Sequence, residues 1–158
     1  INMFINSDFV LASKSTSRAK ILKSIGLKFY QTAPKINESK IKLRKEHKKI
    51  KTKEQALFLA KAKAKSIKKK DVIILGCDTT IDFNGKTINK ANNIQQATKK
   101  IQKLAGKSHK IHSAAAAYYN NKLVWRKTQS AKVTIRSLSK KEITKYLNES
   151  GKQILNSV

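Results

Sequence analysis

Apolar residues in this chain fall either in short unbroken runs or in stripes of helical period, and the alternation of the two predicts an order of elements. Phe9-Val-Leu-Ala-Ser13 reads as a short buried strand. Ser15, Thr16 or Ser17 can cap the helix that follows, which sets Ile21, Leu22 and Ile25 on one face and ends at Gly26. Phe29–Thr32 reads as a second strand, after which Pro34, the only proline, opens a polar loop through Asn37-Glu38-Ser39. The stretch Lys40–Lys53 is half lysine with isolated apolar residues, which predicts a mobile, solvated connection with partial helix. Thr52 then caps a longer helix, with Gln55 at the capping-box position and Ala56, Leu57, Ala60 and Ala64 as its apolar stripe.

The second half continues in the same way. Val72–Leu75 is apolar without alternation, as in a strand buried on both faces. Asn84-Gly85 is a strong hairpin signal joining Thr80–Phe83 to Lys86–Asn89. Ile94, Ala97, Ile101 and Leu104 mark a helix closed by Gly106, and Lys110–Tyr119 and Lys122–Ile135 read as long strands about the turn Asn120-Asn121. Ser139 and Glu142 form a capping box for a last helix that faces Ile143, Tyr146 and Leu147 inward. The order β-α-β-α-β-hairpin-α-β-β-α defines an α/β protein with a mixed sheet. With no internal repeat and no dividing linker, residues 1–158 read as a single domain.

Composition changes the picture in two places. Lys and Arg number 36 against 9 acidic residues, a formal charge of +27 that would ordinarily point to nucleic acid. Yet only Arg18, Arg44, Arg126 and Arg136 are arginines, and the lysines come with many Ile and Asn, a mix that looks like a codon bias toward A and T. A reader of bases or phosphates is expected to use arginine forks and interleaved aromatics, so nucleic acid is not the expected partner. A lysine-rich nucleic-acid-binding module remains the competing reading. The excess charge also concentrates smaller polyanions, nucleoside triphosphates among them. Cys77 is the only cysteine, which suits a reducing compartment, and no apolar run approaches the roughly 20 residues of a membrane span. A cytoplasmic protein without a membrane partner is expected.

The scarcity of acids makes Asp78 conspicuous, because it follows directly on an apolar strand, where open α/β sheets place ligand chemistry. Ser13-Lys-Ser-Thr-Ser-Arg18 brings four hydroxyls and an arginine to a strand-to-helix junction, a seat for phosphate oxygens. Two other motifs carry less. Gly106-Lys107-Ser108 lacks the earlier glycine of a P-loop, since Ile101 stands there, and it leads from helix to strand. His109 and His112 point to opposite faces of a strand, which predicts one surface and one packed histidine and no shared metal.

Five spaced blocks together carry a resemblance. Leu11-Ala-Ser-Lys-Ser-Thr-Ser-Arg-Ala-Lys-Ile-Leu22 resembles the opening Leu-Ala-Ser-x-Ser-Pro-x-Arg-x-x-Leu-Leu of the Maf family of nucleoside triphosphate pyrophosphatases. Gly76-Cys-Asp-Thr79 resembles its Gly-Ala-Asp-Thr. Asn84-Gly85 with Lys90, Leu104-Ala-Gly-Lys-Ser-His109, and Val133 through Ile143 fall where the family has Asn-Gly, Lys-Pro, Leu-Ser-Gly-x-Thr-His and Val-x-Phe-Arg-x-Leu-Ser-x-x-Glu-Ile. Thr16 and Ala91 replace family prolines. Members similar to this chain continue through a Gly-x-Tyr segment and a final strand and helix that complete the base pocket, so the chain reads as ending short of them.

The resemblance implies a curved mixed sheet flanked by helices, two lobes around a cleft in the Maf/ITPase manner. It implies hydrolysis of a nucleoside triphosphate between its α and β phosphorus, giving a monophosphate and pyrophosphate, a house-cleaning activity. Asp78 would be catalytic. Asp78 and Glu38 would hold a divalent cation, Mg²⁺ by preference, while Ser13, Ser15, Arg18, Lys63 and Lys90 would bind the phosphates. Thr79 and Ser17 sit where the family's branches differ in base. Thr79 leans toward the dTTP/UTP branch and away from the 7-methyl-GTP branch, while Ser17 matches neither; the block Leu123-Val-Trp-Arg126 and the ending near Ser157 resemble a third, alphaproteobacterial-type branch, which leaves the base open. Family members are often dimers, so a homodimer is expected.

Overall fold

Phe9, Val10, Leu11 and Ala12 are all buried because the strand they form, β1 (Phe9–Ala12), lies inside the sheet with helices packed on both of its faces. The computed structural model describes residues 8–156. After β1 come α1 (Thr16–Ser24), β2 (Phe29–Thr32), two short helices α2 (Glu38–Leu43) and α3 (Lys45–Lys49), and α4 (Thr52–Lys65). Then follow β3 (Ile73–Phe83), β4 (Lys86–Ile88), α5 (Ile94–Leu104), β5 (Ser108–Tyr119), β6 (Lys122–Thr134), α6 (Lys140–Ser150) and a 3₁₀ turn over Gly151–Asn156. The sheet runs β2-β1-β3-β5-β6, with β4 attached to β3. β1 is parallel to both β2 and β3, and β3 is antiparallel to β4, so the sheet is mixed, as its sequence pattern requires. Among the described residues no helix is long and apolar enough to cross a membrane.

The chain divides into two compact units. One holds the chain up to Thr79 together with His112–Gln129, and the other holds Thr80–Ile111 and the chain from Ser130 onward. In the first, strand alternation sorts side chains onto two faces. Val10, Ala12, Ile74, Ala114, Ala116 and Tyr118 pack with Ala56, Ala60 and Ala64 of α4. Phe9, Leu11, Leu75, Cys77 and Ala115 pack with Ala19 and Leu22 of α1. Fully buried side chains such as Leu11 and Leu59 each contribute about 1.5–3 kcal/mol. The alanines of α4 let helix and sheet approach closely, and Gly76 completes that fit. A Cβ on Gly76 would run into the Ala60 carbonyl oxygen and lie 2.6 Å from the Ala64 nitrogen.

In the second unit, Ala97 and Ile101 of α5 meet Ile143 and Leu147 of α6, with Ile154 of the 3₁₀ turn against them. The turn Asn84-Gly85 has φ of 54° and 79°, the left-handed pair that a tight hairpin demands. Ser139 caps α6 by accepting from the Glu142 amide at 3.1 Å, and Glu142 answers from the Ser139 amide at 2.8 Å.

Several expectations need correction. Lys40–Lys53 is not a loose connection. Its two helices each anchor one buried residue, Ile41 and His47, and sparse apolar spacing hid a stripe that has only one member per helix. Lys51, not Thr52, is the N-cap of α4, and its amide donates to Glu54 at 3.2 Å. Gln55 turns instead to the carbonyls of His47 and Ile50. On α1 the buried residue is Ala19, while Ile21 and Ile25 are exposed. Ile94 and Tyr146 are likewise exposed although they belong to the apolar stripes of α5 and α6. Finally, Val72–Leu75 does not end before Asp78. β3 runs through it to Phe83, because Thr79, Thr80 and Ile81 are β-branched and continue the extended backbone.

Candidate active site

Although Asp78 lies inside β3, it lies past the end of β1. The last paired residue of β1 is Ala12, opposite Gly76, so Cys77, Asp78 and Thr79 continue where β1 has stopped. Chain order reverses at this place: β1 is flanked by β2 on one side and β3 on the other, all parallel. Such a switch point, at the carboxyl ends of parallel strands, is where α/β sheets open a crevice for ligands.

Two groups of side chains occupy it. On the α4 face, Lys63 Nζ lies 2.7 Å from Asp78 Oδ1 and 2.9 Å from Glu38 Oε1. Asp78 and Lys63 are both buried, and the approach of α4 allowed by Gly76 brings Lys63 within reach. Burial pushes the Asp78 carboxyl above the usual range, and the Lys63 ammonium opposes that shift without cancelling it. For Lys63, burial disfavours the ammonium but the two carboxylates outweigh it, so its pKa is raised and it stays charged.

At the end of β1, Ser13 Oγ accepts from Arg18 Nη1 at 2.8 Å and from the Ser15 amide at 3.2 Å. Ser15 caps α1 by accepting from the Arg18 amide at 3.1 Å. Gln31 of β2 donates to the carbonyls of Ser13 and Ser15, which fixes the path of this junction. Cys77 lies beside both groups. Burial raises its thiol pKa while Arg18 and Lys63 pull it down, and the net rise leaves it a protonated, inert thiol.

A pocket of about 460 Å³ joins these parts to β5 and β6. Ser15, Ser17, Arg18, Asp78 and Thr79 line it, and Thr79 Oγ1 lies 3.3 Å from Ser113 Oγ. Asp78 and Arg18 therefore border one cavity. Lys63 and Glu38 reach Asp78 from the α4 side and do not line the pocket. Lys90 belongs to the second unit, is exposed and is not among the lining residues.

Sequence reasoning missed Gln31, Lys42, His47 and, on β6, Lys127 and Gln129, while Trp125 entered it only within a block that marks a family branch. Lys42 lies near enough to pull the Asp78 carboxyl down and to add to the burial that lowers the His47 pKa. His47 stands edge-on to Phe58, with its Nε2 lacking a hydrogen-bond partner. Nothing in a lysine-rich run marks such a residue. The alternation Trp125, Lys127, Gln129 was the available signal for β6, since all three line the pocket. His109 and His112 are both buried, not one packed and one on the surface, because β5 is covered on both faces.

The donor set fits a hard divalent cation that arrives with a polyphosphate. Asp78 and Glu38 supply two carboxylates close enough to share one ammonium, while among the described residues no group of three or more metal-ligating side chains gathers. Mg²⁺ binds in this manner, through one or two carboxylates completed by phosphate and water oxygens.

Fold and site together define an α/β protein with a lysine-bridged carboxylate pair beside a hydroxyl-and-arginine helix start. A profile of the Maf-like protein family matches residues 8–156, and the chain belongs to that family. It is 38% identical over 153 residues to a 7-methyl-GTP pyrophosphatase of Bartonella quintana (strain Toulouse), covering 94% of this chain and 75% of that protein. It is 32% identical over 149 residues to a nucleoside triphosphate pyrophosphatase of Caulobacter vibrioides, again covering 94% of this chain and 75% of that protein. Among solved structures, a Ham1 protein of Staphylococcus aureus aligns with a TM-score of 0.46 and 17% identity over 79% of this chain and 69% of that one, too weak a likeness to support anything further.

Proposed function

We propose that this chain is a nucleoside triphosphate pyrophosphatase of the cytoplasm, cleaving its substrate between the α and β phosphorus with water to give a nucleoside monophosphate and pyrophosphate. The observation that carries this reading is the Asp78–Lys63–Glu38 cluster meeting the Ser13–Arg18 junction at a sheet switch point. Arg18 and the α1 N-terminus offer a forked donor and free amides to phosphate oxygens. Lys63 adds positive charge against the triphosphate. Phosphoryl transfer needs little beyond such positioning and neutralisation. A divalent cation held by Asp78 and Glu38 would supply charge neutralisation to the triphosphate. Asp78, with its carboxyl pKa raised by burial, is suited to accept the proton of the attacking water.

For the base, Thr79 favours a pyrimidine triphosphate. The Bartonella relative favours a second reading, 7-methyl-GTP, because its name carries that substrate. Incubation with Mg²⁺ and a nucleotide panel should release pyrophosphate, and Asp78→Asn should lower the rate by about a hundredfold or more. An unchanged rate in that variant removes Asp78 from its role. Salt-sensitive binding to DNA or RNA without pyrophosphate release would favour the nucleic-acid-binding alternative.

A further inference from the structure

The pocket extends well beyond the groups that would handle phosphate. Among the described residues lining it, Trp125 carries the only aromatic ring, and its side chain is half exposed on β6. Ile21 of α1 lines the same pocket and is 65% exposed. Two large apolar side chains left open to water beside a cavity are a cost that a flat apolar ligand would relieve. Much of the remaining wall is small: Ser17, Ser113, Ala114 and Ala115 line the same pocket and leave room for a ring. Polar atoms sit at the margin, with the Thr79 and Ser113 hydroxyls 3.3 Å apart and Gln129 carrying both a donor and an acceptor.

Building on the triphosphate reading above, we infer that Trp125 is the base platform of this site: the nucleobase stacks on its indole face, with Ile21 toward the other side of the ring. Register supports the assignment, because Trp125, Lys127 and Gln129 are alternate residues of one strand and share the pocket face. Stacking accounts for affinity, since every base has a π face, and hydroxyls and amide at the margin are left to discriminate between bases. An electron-poor or positively charged base gains further on an indole face through cation–π attraction.

The chain has a single tryptophan, so its emission reports on this residue alone. With Mg²⁺ present, a non-hydrolysable nucleoside triphosphate should quench that emission saturably. Inorganic triphosphate should compete for the site and leave the emission unchanged. Trp125→Ala should raise KM for nucleoside triphosphates about ten- to a hundredfold with kcat little altered, and Trp125→Phe should restore most of the loss. Pyrophosphate release with emission and KM indifferent to nucleotide and to both substitutions would overturn the platform and leave the hydrolase intact. Base-dependent quenching without turnover would uphold the platform and overturn the hydrolase. Neither quenching nor turnover would overturn both.

Discussion

The ammonium of Lys63 is shared between Asp78 at 2.7 Å and Glu38 at 2.9 Å, so one helix-borne cation ties β3 to the start of α2. This bridge is buried at the Asp78 end and partly open at the Glu38 end, where the side chain is 40% exposed. Its removal should therefore be felt mainly through Asp78. Lys63→Met leaves a buried carboxylate without its counter-charge, which should lower unfolding free energy by about 3 kcal/mol in urea titration. Double replacement with Asp78→Asn should recover most of that loss without recovering activity.

Gly76→Ala tests how α4 is held. The added methyl meets helix backbone, not a flexible side chain, so helix or strand must shift. A destabilisation of about 1–3 kcal/mol is expected, with a fall in pyrophosphate release because Lys63 rides on the same helix. A variant of wild-type stability and activity would show that this close approach does not set the site.

Arg18 makes a charged hydrogen bond to a buried hydroxyl and lines the pocket. Arg18→Gln should lower kcat/KM by about ten- to a hundredfold, with Ser13→Ala having a smaller effect through the loosened guanidinium. Steady-state kinetics at saturating Mg²⁺ separate the two.

Lys100 on α5 gives a pH test independent of the site. Burial, assisted by the charge of Lys90, lowers its pKa to about 8. Its ammonium donates to the Asn89 carbonyl at 3.3 Å. Between about 8 and the ordinary lysine value near 10.4, the unfolded chain binds the proton and the folded chain does not, so Lys100 adds stability as pH rises through that window. Below it the cost of the buried charge is constant. Lys63 acts in the opposite sense: its raised pKa stabilises the fold below about 10.4, and that contribution fades as pH climbs through the folded value. Thermal unfolding of wild type minus Lys100→Met should show a difference that shrinks from pH 8 to 10, and NMR titration should place the Lys100 side chain near 8.

Most elements were legible because their signals are local. The turns at Asn84-Gly85 and Asn120-Asn121, the cap at Ser139 and, Ile94 apart, the stripe of α5 each depend on neighbouring residues, and each stands where the pattern puts it. What escaped depends on distant contacts. His47 and Ile41 are buried by partners outside their own helices, and a lysine-rich background conceals them. Lys63, singled out by the resemblance alone, has nothing in its own pattern on α4 to set it apart from a solvated lysine until Asp78 and Glu38 are placed beside it. The wall contributed by β6 was marked by nothing stronger than the alternation of Trp125, Lys127 and Gln129. A strand exposed along nearly its whole length has no hydrophobic face to declare which side matters.

That exposure has a second effect. Among the described residues β6 is the outermost strand on its side of the sheet, 13 residues long, with Leu123, Val124 and Trp125 uncovered. Open backbone of this length templates edge-to-edge aggregation. Lys122, Arg126, Lys127 and Lys132 punctuate the same edge, so two copies meeting there would bring like charges together. Concentrated salt, by masking this repulsion, should make solutions of the protein more prone to cluster, the reverse of what a charge-driven association would do.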